Sequence, residues 1–518
     1  MEKALRNLIG QSLMVRFEGT ILTPETRHLI SQTRAGGVIL FTDNITTPAA
    51  LHALCSDLQA HAAEEGLPPL LISIDQEGGV VSRFSEPLTT VPSQMAQAAT
   101  NDPFAAYTCA RINGEQLRHL GINVDFAPVL DVNCNPANPV IGTRAFSEQP
   151  DVVELFGVAA LRGYQESQVI ATIKHFPGHG DTEIDSHLGL HIVRHGLERL
   201  KQIELAPFAE AIRAGAPAVM TAHIVFPELD DVPATLSHTI LTGLLREELG
   251  FEGIIFTDAL EMRAIADRYG PDEAAILSKK AGADIVLPLG EIKDQLAVAE
   301  ALGNAVQAGR LSQDMFEATR QRVDTLRTTY AISHTQRPYA GIDPTHREQA
   351  LAIARRGITV MHNRDALPLA RETRVALIDC TVPRFSLVEE SVERAKLLQS
   401  LVRASFPHTQ AIALAPHFDD EAVSQVLDCV QACDAVILVT RNALLNKQQT
   451  TLAQTITHSA TPIIHVSARN PYDAEVVPNA AATILTYGDP PISLQAAVEI
   501  IAGSALTVGQ PTLSKLET

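Results

Sequence analysis

VIATIKH (169–175) runs directly into KHFPGHGDTEIDSHLGLH (174–191), an apolar stretch that ends in a loop crowded with histidines and acids. The apolar part reads as a strand covered on both faces, as in parallel sheets flanked by helices. Similar runs precede it: SLMVRF (12–17), GVILF (37–41), LLISID (70–75) and INVDFAP (122–128). AVMTAHI (218–224), GIIFTD (253–258) and DIVLP (284–288) follow it. Helix-like segments such as TTPAALHALCSDLQAHAAEE (46–65) and DVVELFGVAALRGYQES (151–167) separate them. Eight such strands alternating with helices predict a (β/α)₈ barrel rather than an open doubly wound sheet.

A helix over roughly 311–330 is followed by SHTQRPYAGIDPTHRE, whose Pro, Gly, Ser and Thr content marks a linker. The pattern then resumes with ITVMH, RVALIDC, QAIALAP, AVILVT, PIIHVSA and ATILTYG. The expected organisation is α/β throughout: a barrel over 1–332, a linker over 333–346 and a three-layer α/β/α sandwich over 347–518. The second unit has no GxGxxG after its first strand, so nucleotide binding has no support, and no reactive constellation is legible in it. In RNPYD (469–473), Asn470 is expected to fix a turn and Asp473 to cap a helix.

The chain has 518 residues, 46% of them hydrophobic and 19% charged, which is globular composition. A formal net charge of −20 argues against a phosphate-backbone partner. No run approaches eighteen apolar residues, and Arg6, Gln11 and Arg16 interrupt the N-terminal segment. A cytoplasmic enzyme with no nucleic-acid or membrane partner, monomeric or homodimeric, is expected. The six cysteines, at 55, 109, 134, 380, 429 and 433, form no CxxC, and neither a zinc site nor a disulfide framework is signalled.

Barrel active sites lie at the C-terminal ends of the strands. Asp75, Lys174 with His175, His223 and Asp258 each stand where an apolar run stops. His175, His179, Asp185, His187 and His191 are all metal-ligand types, but their spacing fits neither HExxH nor a facial triad, so no metal is expected. Asp185 and His187 are one residue apart, and a carboxylate that close can fix an imidazole tautomer for proton transfer. Asp258 fits either an attacking carboxylate or a helix N-cap. Lys174 opens a Schiff-base alternative, although nothing nearby supplies the environment that would depress its pKa.

These residues resemble glycoside hydrolase family 3, in its β-N-acetylhexosaminidase branch. IDQEGGVVSRF (74–84), IGTRAFSE (141–148), KHFPGHGDTEIDSH (174–187), TAHI (221–224) and FTDALEM (256–262) stand in the family's order. The resemblance implies Asp258 as nucleophile, His187 as acid/base and Asp185 as its dyad partner. It also implies that Asp75, Arg83, Arg144, Lys174 and His175 bind the sugar, with His223 grouped beside them. The implied reaction is retaining removal of terminal N-acetylglucosamine from short glycosides, muropeptides or chito-oligosaccharides, without a cofactor. A phosphorylase, another family 3 glycosidase and a sugar-binding protein on a dead barrel are the rival readings. The chain departs from the family at Val80, where Arg is frequent, and at Thr257–Asp258–Ala259, where SDD or SDA is usual. It has no Trp and only 4% aromatics, which disfavours a platform for long polysaccharides.

Overall fold

The structure, a computed structural model, describes residues 2–84, 86–182, 189–382, 384, 386, 388–389, 394–507, 509–511 and 513. The first unit carries strands β1 (Met14–Arg16), β2 (Gly37–Leu40), β3 (Leu71–Ile74), β4 (Val124–Asp125) and β5 (Ile170–Phe176). It continues with β6 (His191–Ile192), β7 (Ala218–Thr221), β8 (Ile224–Val225), β9 (Ile254–Ala259) and β10 (Ile285–Leu287). Eight of these form one parallel sheet in the order β1-β2-β3-β4-β5-β7-β9-β10, and β6 and β8 make a separate pair. Leu13 bridges Val286, so the sheet closes on itself. The sandwich and the barrel expected from sequence are both present, although the fourth barrel strand is only two residues long.

Continuous apolar runs follow from this closure, because each strand buries both of its faces. Met14, Ile39, Leu71, Val124, Ile170, Ala218, Ile254 and Ile285 point into the barrel and pack as one cluster. Phe126 and Phe256 meet there edge to face with centroids 5.3 Å apart. Val15, Val38, Ile72, Ile173, Val219 and Ile255 face the helices instead. The helix Pro48–Glu64 shows why such segments fold as they do. Thr47 accepts from the Ala50 amide and Pro48 opens the first turn, while Leu51, Leu54, Cys55, Leu58 and Ala62 bury one stripe. Each buried leucine contributes roughly 2 kcal/mol of apolar transfer.

Residues 331–343 contain no helix or strand, and the helix Pro344–Gly357 leads into the second unit. Its sheet comprises β11 (Thr359–Asn363), β12 (Val375–Cys380), β13 (Thr409–Leu414), β14 (Ala435–Thr440), β15 (Ile463–Ser467) and β16 (Ala482–Leu485). The order is β11-β16-β15-β14-β12-β13, with β11 as an antiparallel edge. Leu377, Val439 and Ile464 pack on helices at 344–357, 395–405 and 491–501, and Ile378, Leu438 and Ile463 on helices at 420–431 and 447–456. Val91, Ala105, Cys109 and Ile112 of the barrel unit join the first of these clusters, so the two units share apolar core. Arg356 also donates to Asp102 at 2.8 Å and Tyr472 to Glu148 at 3.1 Å across the junction.

Two buried histidines make stability depend on pH. Burial holds His465, whose Nε2 meets the Thr440 hydroxyl at 3.0 Å, down to about 3. Burial, aided by His175, does the same to His179. The unfolded chain takes up these protons near pH 6.5 and the folded chain does not, so stability is lost as pH falls from about 6.5 toward 3. Each group contributes a slope of about 1.4 kcal/mol per pH unit in that window. His465→Gln should therefore flatten the pH dependence of the urea midpoint by about one such share; an unchanged slope would contradict the account.

Candidate active site

The segment after β3 sets the geometry. The Asp125 carboxylate accepts from the Gln76 amide at 2.9 Å, and Asn113 donates to the Gln76 carbonyl at 2.8 Å. The Gln76 side chain accepts from the Arg83 amide at 2.9 Å. Gly79 turns the chain at φ +60°, and a Cβ there would lie 2.6 Å from that of Ser93. Pinned in this way, Asp75 and Glu77 meet Lys174 of β5 and Arg144 of the helical turn Gly142–Arg144. Lys174 places its ammonium 2.8 Å from Asp75 and 2.6 Å from Glu77. Arg144 grips both Glu77 oxygens at 2.8 Å, a bidentate fork. All three members of the Lys174–Glu77–Arg144 core are buried.

Their electrostatics follow from that burial. Desolvation alone would raise the Glu77 carboxyl, but the Arg144 and Lys174 charges outweigh it and hold the group well below the usual carboxylate range. Desolvation likewise works against the Lys174 ammonium, yet Asp75 and Glu77 raise it above the ordinary lysine value. A Schiff-base amine needs the opposite shift, so that alternative fails on the environment of Lys174.

His175, adjacent to Lys174 at the end of β5, directs Nδ1 to Asp131 at 2.7 Å. Its Nε2 lies 3.4 Å from the Arg144 guanidinium, which can only donate. Asp131 also accepts from the His179 amide at 2.7 Å, and Asn138 donates to the His179 and Gly180 carbonyls at 2.9 and 3.0 Å. These bonds fasten the start of the loop that carries Asp185 and His187. Those two residues lie outside the described residues. Among the described residues, no group of three or more His, Cys, Asp or Glu could hold a metal ion.

Asp258 ends the apolar part of β9, with its Oδ1 accepting from the Ala259 amide at 2.7 Å. It is not a helix cap: the next helix begins at Arg263, with Met262 in the capping position. His223 stands behind this turn, its Nε2 donating to the Ala259 carbonyl at 2.9 Å and its Nδ1 2.8 Å from the Thr235 hydroxyl. Asp75, Arg83, Arg144, Lys174, His175 and Asp258 line a single pocket, whereas His223 is not in its lining. The pocket floor is the top of the barrel core, with Phe126 and Met220. The second unit supplies part of its rim, since Val388 lines it and accepts from Arg83 at 3.0 Å.

Sequence reasoning missed Glu77 and Asp131, which orient the cations and the imidazole. Both were readable as acids just beyond strand ends. It also missed a constellation in the second unit. The buried Arg441 pairs with Asp379 and with Asp489 at 2.7 Å, and Arg469 with Asp489 at 3.2 Å and Glu389 at 2.6 Å. Asp379, Arg441, Arg469 and Asp489 stand in or just after β12, β14, β15 and β16, the same positional signal that singled out Asp258. Asn470 caps the short helix Pro471–Val476, and Asp473 accepts from the Ala443 and Leu444 amides at 2.8 and 3.0 Å.

A closed parallel barrel with ionic groups gathered at the C-terminal ends of its strands defines a barrel enzyme rather than a binding scaffold for an extended polymer. The chain belongs to glycosyl hydrolase family 3, whose N-terminal domain model matches residues 4–326. It is 38% identical over 384 residues to beta-hexosaminidase A of Pseudoalteromonas piscicida, a match covering 69% of this chain and 64% of that protein. A beta-hexosaminidase of Idiomarina loihiensis is 32% identical over 63% of this chain and 98% of its own length. Among solved structures, a family 3 beta-N-acetylglucosaminidase from Paenibacillus sp. superposes with a TM-score of 0.93 at 35% identity, covering 98% of both chains. A beta-glucoside phosphorylase shares the fold at a TM-score of 0.82 and 20% identity.

Proposed function

We propose that this chain is a retaining β-N-acetylhexosaminidase that removes terminal N-acetylglucosamine from short glycosides. The observation that carries the reading is the common pocket in which Asp258 joins Asp75, Arg83, Arg144, Lys174 and His175. Such a pocket offers both charged donors and carboxylate acceptors to the several hydroxyls of one pyranose, while Asp258 is the carboxylate for the anomeric carbon. In the first step the Asp258 carboxylate bonds to that carbon as the bond to the glycosidic oxygen breaks, and His187, partnered by Asp185, delivers a proton to the departing oxygen. In the second step water gives its proton to His187 and its oxygen to the anomeric carbon, releasing Asp258 and the β-configured sugar. His223 acts in this scheme through the turn that holds Asp258. The likeness to a curated beta-hexosaminidase A and to a solved family 3 beta-N-acetylglucosaminidase supports the reading.

The context we favour is recycling of cell-wall fragments in the cytoplasm; among the described residues no helix is long and apolar enough to cross a membrane. The same proposal divides the chain into a barrel unit 1–332, a connector 333–346 and a sandwich unit 347–518. Nitrophenyl β-glycosides test the activity. Release from the N-acetylglucosaminide is expected to exceed that from the glucoside and xyloside by at least about 100-fold in kcat/KM, since a site with buried polar groups rejects analogues that leave them unpaired. No release from any of the three would overturn the reading, and a sugar 1-phosphate formed only with added phosphate would replace water by phosphate as acceptor.

A further inference from the structure

The loop that carries Arg83 has a second face. Arg83 lines the sugar pocket, whereas its neighbours Ser82 and Phe84 line a separate cleft with about 320 Å³ of room. That volume falls in the range of small-molecule sites, ~300–1,000 Å³. Among the described residues, the two spaces share no lining side chain. Phe84, Pro87 and Leu88 of the barrel unit and Pro490, Pro491 and Ile492 of the second unit give the cleft apolar walls. Nothing in the proposed reaction uses it.

Among the described residues, the charged groups of the lining are Glu86, Arg347 and Arg394. Glu86 and Arg347 are exposed, but the Arg394 side chain is only 9% exposed, and its Nε and Nη1 are buried without a hydrogen-bond partner. A buried donor left unpaired is costly. Asp489 lies 3.5 Å from Nε but is already held by Arg441 at 2.7 Å and Arg469 at 3.2 Å. Arg441 and Arg469 each pair with a second carboxylate, Asp379 and Glu389, and among the described residues none pairs so with Arg394. The helix Pro491–Ile501 begins at the same cleft, with Pro490 in the capping position and no side-chain cap, so the positive end of its dipole is unopposed there. An anion satisfies both features. The exposed Glu86 disfavours a second negative charge, and the apolar walls favour a ligand with an apolar body over a bare inorganic ion.

We propose that this cleft is a binding site, separate from the sugar pocket, for a small monocarboxylate with an apolar body. The carboxylate meets Arg394 and the start of the helix Pro491–Ile501, Arg347 adds a second cation, and the body lies against the proline-rich walls. Isothermal titration calorimetry of the full chain tests it with N-acetylphenylalanine and with N-acetylphenylalaninamide, which has the same body without the charge. The acid should bind at least about tenfold more tightly than the amide, the difference that a charge-assisted hydrogen bond makes. Arg394→Met and Arg347→Glu should each weaken binding of the acid by at least about tenfold. Arg347 is exposed and donates to Gln495 at 2.8 Å, so Arg347→Glu remains informative if Arg394→Met misfolds. No binding of the acid, equal binding of acid and amide, or an unchanged affinity for the acid in folded Arg347→Glu would each overturn the site. Inorganic phosphate that binds as tightly as the acid would overturn the assignment of an apolar-bodied ligand.

Discussion

Asp258→Ala is expected to lower turnover on a nitrophenyl N-acetylglucosaminide by about 10⁴-fold or more, with little change in stability. Loss of a nucleophile removes the covalent route altogether, and what persists is only the rate enhancement from binding and orientation. Asp258 is only partly buried, at the mouth end of β9, and its Oδ1 accepts from the Ala259 amide. Truncation there leaves the barrel core untouched, so the free energy of unfolding should fall by less than about 1 kcal/mol. Added azide should restore part of the rate, because a small anion can enter the space of the missing carboxylate and attack the same carbon. Activity above a few percent of wild type would dismiss Asp258 as the nucleophile; a large loss of stability would make the lost rate uninformative about chemistry.

Glu77→Gln is expected to cost about 3–5 kcal/mol of stability, the loss typical when one member of a buried ion pair is neutralised. Glu77 is the shared anion of Arg144 and Lys174, each of which is nearly inaccessible. A glutamine keeps the volume but leaves two cations without their shared counter-charge, and its amide presents hydrogens toward donors. Asp75→Asn should cost less, because the Asp75 side chain is 15% exposed, against 2% for Glu77, and Lys174 would keep Glu77. Urea unfolding of the three proteins checks the ranking. A Glu77→Gln variant that loses less than about 1 kcal/mol would show that the cluster is not the electrostatic keystone of the pocket.

Most of the architecture was legible because burial on both faces writes parallel strands as apolar runs bounded by breakers. The rule worked for short strands too: β4 forms a ladder of only two residues, yet INVDFAP stood out because Phe126 extends the barrel interior beyond it. Reactive residues at strand ends were legible for the same reason, since a lone acid or base after such a run has nowhere to go but the mouth. Partnership was not. Nothing in IDQEGG says that Glu77, rather than Asp75, holds Arg144, nor that Asp131 orients His175. Those pairings join residues 44 to 67 positions apart and are set by barrel closure. His223 illustrates the converse: it follows β7 closely, but its ring supports the turn at Ala259 instead of lining the pocket.

The second unit shows where a fold-level reading stopped short. Its strand ends carry Asp379, Arg441, Arg469 and Asp489, and only the three-dimensional arrangement reveals that they converge on one buried cluster.

The central claim is a covalent glycosyl intermediate on Asp258. It is tested most directly by incubating the intact protein with 5-fluoro-N-acetylglucosaminyl fluoride, which forms such an intermediate faster than it hydrolyses it, and mapping the adduct by peptide mass spectrometry. The account predicts one added fluorosugar on the peptide bearing Asp258, and none in Asp258→Ala. An adduct on Asp75 or any other carboxylate, or turnover that yields the inverted anomer with no adduct, would contradict it.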